Sequence, residues 1–271
     1  MNKPVAQQSS GSAKNMFASI VIVVALVVAC LVFFLIMGSP SNFEDNNTAN
    51  HPLPGNYLGI IYKGGVIVPL LMTLLILVFT FSIERYMTIK KAAGKTSAYS
   101  FLTKIRTLLS SSNVAAVEQE CDRQQGSLGN VVKSAMVKYR EVEGEQQMDK
   151  DQKIVAIQKQ IEEATELEMP MLQKNLVFLS TIATVATLIA LLGTVLGMIK
   201  AFASLAQAGS PDSIGLATGI SEALINTAFG IGTSALAVIS YNYFTTMIDS
   251  LTYAIDEAGF SIINTFSATH K

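Results

Sequence analysis

Four runs of apolar residues dominate this chain, and each is long enough to cross a bilayer as a helix, which takes roughly 20 residues. They cover residues 17–37, 66–83, 176–206 and 214–244. Half of all residues are hydrophobic and only 14% are charged, which is too apolar for an ordinary soluble domain. The sequence therefore predicts an all-α polytopic membrane protein with four transmembrane helices.

The first run must be distinguished from a cleaved signal peptide, because Lys3 and Lys14 precede it. Its apolar core is longer than the roughly 7 to 15 residues typical of a signal peptide, and no A-x-A cleavage site follows. We therefore expect residues 17–37 to form a retained, peripheral extra helix after a cytoplasmic tail at 1–16.

Basic residues set the expected orientation, because cytoplasmic loops carry an excess of Lys and Arg. They crowd the end of the second run, at Arg85, Lys90, Lys91 and Lys95. Both termini are therefore predicted to be cytoplasmic. The other segments are a periplasmic loop at 38–65, a cytoplasmic helical region at 84–175, a periplasmic turn at 207–213 and a cytoplasmic C-terminal helix or tail at 245–271. The last two runs exceed the length of a straight span, so their helices should extend into the cytoplasm.

The 84–175 region has the pattern of several helices. Ser112 or Asn113 can cap one helix, which Gly126 and Gly129 are expected to break before another begins at Val131. A further amphipathic pattern over 154–167 is expected to continue straight into the third span, with Pro170 as the only kink.

No pattern in the chain indicates catalysis. There is no GxGxxG, P-loop, HExxH or CxxC motif, and His51 and His270 lie in polar stretches without nearby ligand partners. Cys30 and Cys121 have neither disulfide-framework nor metal-site spacing. We expect no catalytic residue, metal or cofactor, and the formal net charge of -1 gives no indication of nucleic acid binding.

Small residues inside the last two runs predict helix association. Gly193 and Gly197 are spaced so that another helix can approach the backbone closely, which is how helices associate in lipid. Gly219 and Gly230 on the fourth run are assigned the same packing role.

Glu222 is a carboxylate within the fourth run. An ionisable group at membrane depth costs roughly 2.5 to 3.5 kcal/mol, so its default interpretation is an ion or proton path. Asn226 shares its helical face, whereas Thr227 is rotated from it by roughly 140°. The alternative is a structural role, which requires either a nearby base such as Lys200 or exposure to the outer surface. Snorkelling near the outer end of its helix is the expected role of that lysine.

Hydroxyl groups follow one face of the third run, at Thr187 and Thr194. Hydroxyls can relay protons or bind a neighbouring carboxylate. A threonine in a membrane helix also commonly bonds the carbonyl four residues earlier or a neighbouring helix, so for Thr194 and Thr227 both roles stay open.

Two blocks carry a family resemblance: LLGTVLGMIKAF at 191–202 and GISEALINTAFGIGTSALAVISYN at 219–242. Together with ERYMTIKK at 84–91, they resemble the signature of the MotA/TolQ/ExbB proton-channel family, and within it the ExbB and TolQ branch. The resemblance implies that Thr194, Glu222 and Thr227 line a pore.

The resemblance also implies an assembly. It is a homo-oligomeric, pentamer-like ring in the bacterial inner membrane around a dimer of ExbD-like single-span helices, acting with a TonB-like energy transducer.

Two features depart from the family pattern. Residues 17–37 add a fourth span to the usual three, and Ala186 and Thr187 replace an Ala-Pro pair before the first block.

The expected function is that of an ExbB-like proton-channel or stator subunit that couples the proton motive force to a complex energising TonB-dependent outer-membrane transport. A TolQ-like or gliding-type stator is the alternative within the family. A passive membrane scaffold, in which Glu222 is only a hydrogen-bonding group, is the alternative from another class.

Overall fold

The computed structural model describes residues 10–111, 113–206 and 212–269, with side chains from Ala18 onward. The described part is helical and contains no β-strand, only one isolated bridge between Phe43 and Pro52. The all-α prediction is confirmed. The predictions for Ser112, His270, the tail at 1–16 and most of the turn at 207–213 lie wholly or largely outside the described residues.

Nine α-helices are described, labelled here in chain order. They are α1 (Ser10–Leu31), α2 (Tyr57–Tyr62), α3 (Val68–Ala93), α4 (Ala98–Ser110), α5 (Val114–Gln124), α6 (Gly126–Glu143), α7 (Lys150–Gln173), α8 (Leu176–Leu205) and α9 (Ser213–Thr269). A π-helical turn, Val32–Met37, continues α1, and short 3-10 turns join α1 to α3.

Four helical stretches are long and apolar enough to cross a membrane, which confirms the predicted number of spans. They are Ala18–Met37, Gly65–Ser110, Leu176–Leu205 and Ser213–Thr269. The last is a single helix of 57 residues. It continues without a break through residue 245, where the sequence analysis separates a span from a C-terminal helix or tail.

The chain divides into two compact units. The first comprises Met1–Ser82 and Phe178–Ser240, and the second comprises Ile83–Val177 and Tyr241–Lys271.

In the first unit, the extra N-terminal helix packs on α3. Ala29 and Phe33 form a buried cluster with Val68 and Met72 of α3. The small side chain of Ala29 is fully buried in this cluster, while the opposite face of α1 stays exposed. The amide of Asn42 donates to the carbonyls of Ile36 and Met37 at 2.8 and 2.9 Å, so the end of the π-helical turn has bonding partners.

In the second unit, α5 and α6 are joined by a tight turn. Asn113 caps α5, as one of the two expected residues, by accepting from the Ala116 N–H at 3.1 Å. The expectation that Gly129 interrupts the helical structure before Val131 is wrong, because α6 begins at Gly126 and includes Gly129. The turn is made by Gln125 and Gly126, both at positive φ.

Helix α7 ends before α8 begins, so the prediction of a straight continuation into the third span is wrong. Asn175 adopts φ 64°, a left-handed conformation that interrupts the helix, whereas Pro170 lies inside α7. Arg85 is buried and donates to the carbonyls of Met171 and Leu172 at 3.2 and 3.3 Å. These carbonyls belong to the last turn of α7, so the guanidinium supplies donors that the helix end lacks.

Candidate functional site

Helices α8 and α9 approach each other at the glycines that the sequence analysis singles out. A Cβ atom added to Gly193 would lie 2.8 Å from the Asn226 side chain. One added to Gly197 would lie 2.7 Å from the backbone nitrogen of Ala223. At these positions the backbone of α8 therefore contacts α9 directly.

The glycines of α9 complete the same contact from the other side. A Cβ on Gly219 would lie 2.6 Å from the backbone nitrogen of Ala201, and one on Gly230 would overlap the Ala190 methyl group. The contact runs antiparallel, from Ala190 opposite Gly230 to Ala201 opposite Gly219. A small residue is therefore present at each level of the helix pair where the backbones are closest.

Glu222 lies in this helix pair and is bound by Lys200. The ammonium of Lys200 donates to both carboxylate oxygens, at 2.7 and 2.8 Å. The carboxylate is buried, with 7% of the side chain exposed, whereas 58% of the lysine side chain is exposed. The expectation that Lys200 only snorkels is wrong. The nearby base that a structural role of Glu222 requires is present.

The turn that precedes α3 also contacts Glu222 and its neighbour Asn226. Gly65 has φ +77°, and a Cβ there would overlap the Oε1 atom of Glu222. The carbonyl of Gly64 accepts from the Asn226 amide at 3.0 Å. In the sequence, these two glycines end the predicted loop at 38–65, and their only signal is a Gly-Gly pair directly before an apolar run.

Asn226 and Glu222 share the buried face of α9, as their spacing predicts. The Oδ1 atom of Asn226 is buried and has no hydrogen-bond partner among the described residues. An unsatisfied buried acceptor costs about 1 to 3 kcal/mol. This oxygen is therefore a position that a water or another proton donor would stabilise.

Thr194 and Thr227 bring their hydroxyls together across the helix pair. Thr194 also donates to the Ala190 carbonyl and Thr227 to the Ala223 carbonyl, each at 3.0 Å. The Thr194 hydroxyl also lies 3.5 Å from the Ala223 carbonyl, so two hydroxyl hydrogens serve four contacts and cannot satisfy all of them at once. Each threonine hydroxyl is thus within hydrogen-bonding distance of both the carbonyl four residues earlier and the neighbouring helix.

The predicted pore residues do not form one cluster. Glu222 is bound to Lys200, while Thr227 pairs with Thr194, in keeping with the rotation between the two positions on α9. Thr187 is half-buried and lies two helical turns before Thr194 on α8, so it does not join the hydroxyl pair. Within the described part of the chain, no group of three or more His, Cys, Asp or Glu residues is arranged to hold a metal ion.

Comparison with known proteins shows a family match for the part of the chain that contains α8 and most of α9. Residues 125–257 match the sequence model of the MotA/TolQ/ExbB proton channel family. The chain is 36% identical over 86 residues to an ExbB-like biopolymer transport protein of Synechocystis sp., covering 31% of this chain and 41% of that protein.

Two further relatives carry the names of both members of the branch. The chain is 37% identical over 84 residues to the Tol-Pal system protein TolQ of Haemophilus influenzae, covering 31% of this chain and 37% of the relative. It is 37% identical over 73 residues to the biopolymer transport protein ExbB of Salmonella typhimurium, covering 27% and 30%. The chain thus spans less than half the length of each relative. From the match over residues 125–257 and from these relatives, the chain belongs to the MotA/TolQ/ExbB proton channel family, on its ExbB and TolQ branch.

Proposed function

We propose that this chain is an ExbB-like stator subunit of the bacterial inner membrane, which couples the proton motive force to a complex that energises TonB-dependent outer-membrane transport. The observation that carries the proposal is the buried Glu222 between α8 and α9, within the segment that matches the family. An ionisable group at membrane depth is costly, and such groups commonly mark ion or proton paths.

The energy available at such a site is sufficient for a mechanical step. Moving one elementary charge through the membrane potential releases roughly 2.3 kcal/mol per 100 mV. Glu222 takes up and releases the proton in the proposed mechanism. The hydroxyls of Thr194 and Thr227 have more acceptors than hydrogens, so they can exchange bonds as a relay. Asn226, on the same face of α9 as Glu222, offers a buried acceptor without a partner among the described residues.

Exposed apolar side chains support assembly with other helices. On α8 and α9 they include Leu192, Val195, Leu224 and Ile231. In the proposal, these faces contact lipid, other copies of the chain in a pentamer-like ring, and an ExbD-like single-span dimer in the pore. A TonB-like transducer receives the motion. Both termini lie in the cytoplasm.

The decisive experiment compares transport output with oligomer yield in a host that supplies the partners. Glu222→Gln should assemble normally and abolish output, because the amide keeps the shape but cannot carry a proton. Glu120→Gln is the matched control, since Glu120 is also a buried carboxylate that accepts from an exposed lysine, Lys104, at 2.7 Å. It should retain output.

The Lys200→Gln/Glu222→Gln double variant separates proton transport from structure. Two amides can hydrogen-bond to each other, so the ion pair is replaced without an unpaired charge. A passive scaffold would keep its output in this variant. Loss of output with normal oligomer yield supports the proton path, whereas full output would contradict it.

A TolQ-like role is the second candidate, because relatives named TolQ match as well as those named ExbB. Deletion of the gene from its own host distinguishes the two. Loss of nutrient uptake across the outer membrane supports the ExbB-like role, and loss of envelope integrity with normal uptake supports the TolQ-like one. The single-span protein that copurifies identifies the partner.

A further inference from the structure

Lys200 and two carboxylates, Glu222 and Asp212, line one cavity at one end of the α8 and α9 pair. A cavity of about 490 Å³ is lined by Lys200, Glu222 and Asp212, together with uncharged residues. Glu222 is buried and bound to the lysine, and Asp212 is exposed just before the start of α9. Among the described residues, the lining of this cavity therefore carries one positive and two negative side chains.

Asp212 lies about one helical turn beyond Lys200. Ser204 follows Lys200 by one turn of α8, and its hydroxyl donates to the Lys200 carbonyl at 3.1 Å. The backbone nitrogen of Asp212 donates to the Ser204 carbonyl at 3.2 Å. A Cβ on Gly215 would overlap both the Ser204 hydroxyl and the Asp212 Oδ2 atom, so these two oxygens flank the same point.

The lysine side chain is free enough to reach either carboxylate. More than half of it is exposed, and its four-carbon stem is flexible. One helical turn rises about 5.4 Å, which such a stem can sweep. The Oδ1 atom of Asp212 accepts from the backbone nitrogens of Ile214 and Gly215 at 3.1 and 3.0 Å, which leaves Oδ2 as the oxygen beside Ser204.

We propose that Lys200 is a two-position counter-ion, which binds Glu222 while that carboxylate is charged and moves to Asp212 when Glu222 takes up a proton. The inference rests on the proposed function. The proton comes from water on the outer side and binds a Glu222 oxygen, and the ammonium keeps its own protons throughout. Before protonation, Lys200 is positive and both Glu222 and Asp212 are negative; after it, only Lys200 and Asp212 are charged. The ammonium therefore always has a carboxylate partner, and an unpaired ammonium at the membrane would be costly.

The loop at 38–65 brings two further ionisable groups near this end of α9. His51 and Lys63 line a neighbouring cavity, which shares Thr218 with the first. The ammonium of Lys63 donates to the carbonyls of Thr48 and Ala49 at 2.9 and 3.1 Å. Lys63 is thus bonded within its own loop, and Lys200 is the lysine that exchanges partners.

The test is infrared difference spectroscopy of the full chain in bilayers between about pH 4 and pH 9. The carboxylic acid band that disappears in Glu222→Gln reports protonation of Glu222. In Lys200→Gln the midpoint of this band should rise by about one pH unit or more, because the charged form has lost its counter-ion. In Asp212→Asn the midpoint should fall, because the Lys200 ammonium has no second carboxylate to bind when Glu222 takes up a proton.

Asp212→Asn preserves the start of α9, since Asn also caps helices well. In the Lys200→Gln/Asp212→Asn double variant, the fall caused by Asp212→Asn should shrink by at least half, because the lysine that links the two carboxylates is gone. Lys104→Gln, which removes the exposed lysine of the other buried pair, should leave the Glu222 midpoint unchanged.

Two results overturn the two-position role and leave the proposed function intact. One is a Glu222 midpoint that does not change in Asp212→Asn. The other is a fall in that midpoint on Asp212→Asn that is equally large whether Lys200 is present or replaced with Gln. A spectrum in which Glu222→Gln removes no titrating band contradicts both.

Discussion

The hydroxyl pair of Thr194 and Thr227 can be tested one atom at a time. Replacing either threonine with Val removes the hydroxyl at nearly constant volume. The lost bond is worth about 0.5 to 1.5 kcal/mol, so output should fall roughly 2- to 10-fold rather than vanish. Proton-driven transport in the partner-containing host is the measurement.

Thr80→Val is the matched control for both substitutions. Thr80 is also half-buried in an apolar helix, and its hydroxyl donates to the Ile76 carbonyl at 2.8 Å. Because it bonds only within its own helix, output should be unchanged. Equal losses in all three variants would indicate a general effect of removing a membrane hydroxyl.

Cys121 illustrates how burial changes a single thiol in the second unit. Burial raises the pKa of the Cys121 thiol to about 12, with the nearby Asp122 carboxylate acting in the same direction. In a Cys30→Ser background, maleimide should not label the folded chain at neutral pH and should label it after denaturation. Rapid labelling of the folded chain would contradict the buried position.

The same thiol contributes to the pH dependence of stability. The pKa of Cys121 is raised in the folded state, so the folded chain keeps this proton to higher pH than the unfolded chain. The contribution is present below about pH 9 and is lost as the pH rises towards 12. Cys121→Ala should reduce the loss of thermal stability over that range.

At the scale of elements, the α8 and α9 contact depends on glycines that face the partner helix. Gly197→Ala places a Cβ 2.7 Å from the Ala223 nitrogen, and such overpacking costs about 1 to 3 kcal/mol. Gly197→Leu should prevent the helices from pairing. Thermal unfolding of the detergent-solubilised chain measures both effects.

Gly232→Ala is the control within the same helix. A Cβ on Gly232 meets no atom within 4 Å, and Ala favours a helix by about 1 kcal/mol over Gly. This substitution should be neutral or stabilising. Similar destabilisation by Gly232→Ala and Gly197→Ala would show that helix propensity, not close packing, determines the result.

At the scale of the whole molecule, the extra N-terminal helix should stabilise the chain without being needed for assembly. Deleting residues 1–37 removes Ala29 and Phe33 from their cluster and exposes Val68 and Met72 of α3. Since burying one such side chain contributes about 1.5 to 3 kcal/mol, the unfolding temperature should fall. Native mass spectrometry should still detect the oligomer, and only monomers would contradict the proposed ring.

Much of the fold follows from local patterns. Apolar runs of sufficient length predict the number of spans, and Asn113 predicts the start of α5 because a cap acts on the next few residues only. The end of α7 was not predictable in this way. It depends on a left-handed Asn175 and on Arg85, which lies far away in sequence but meets the last carbonyls of α7 in the folded unit.

The sequence by itself determined the helical class, the four spans and the family motifs, because each rests on the spacing of residues within one segment. Only the tertiary structure decided the partners of the polar groups. Lys200 meets Glu222, Thr194 meets Thr227, and Gly64 meets Asn226, because separate helices or segments bring them together. A buried charge or amide is stabilised by whatever lies within about 3 Å of it, and that neighbour is set by packing in three dimensions.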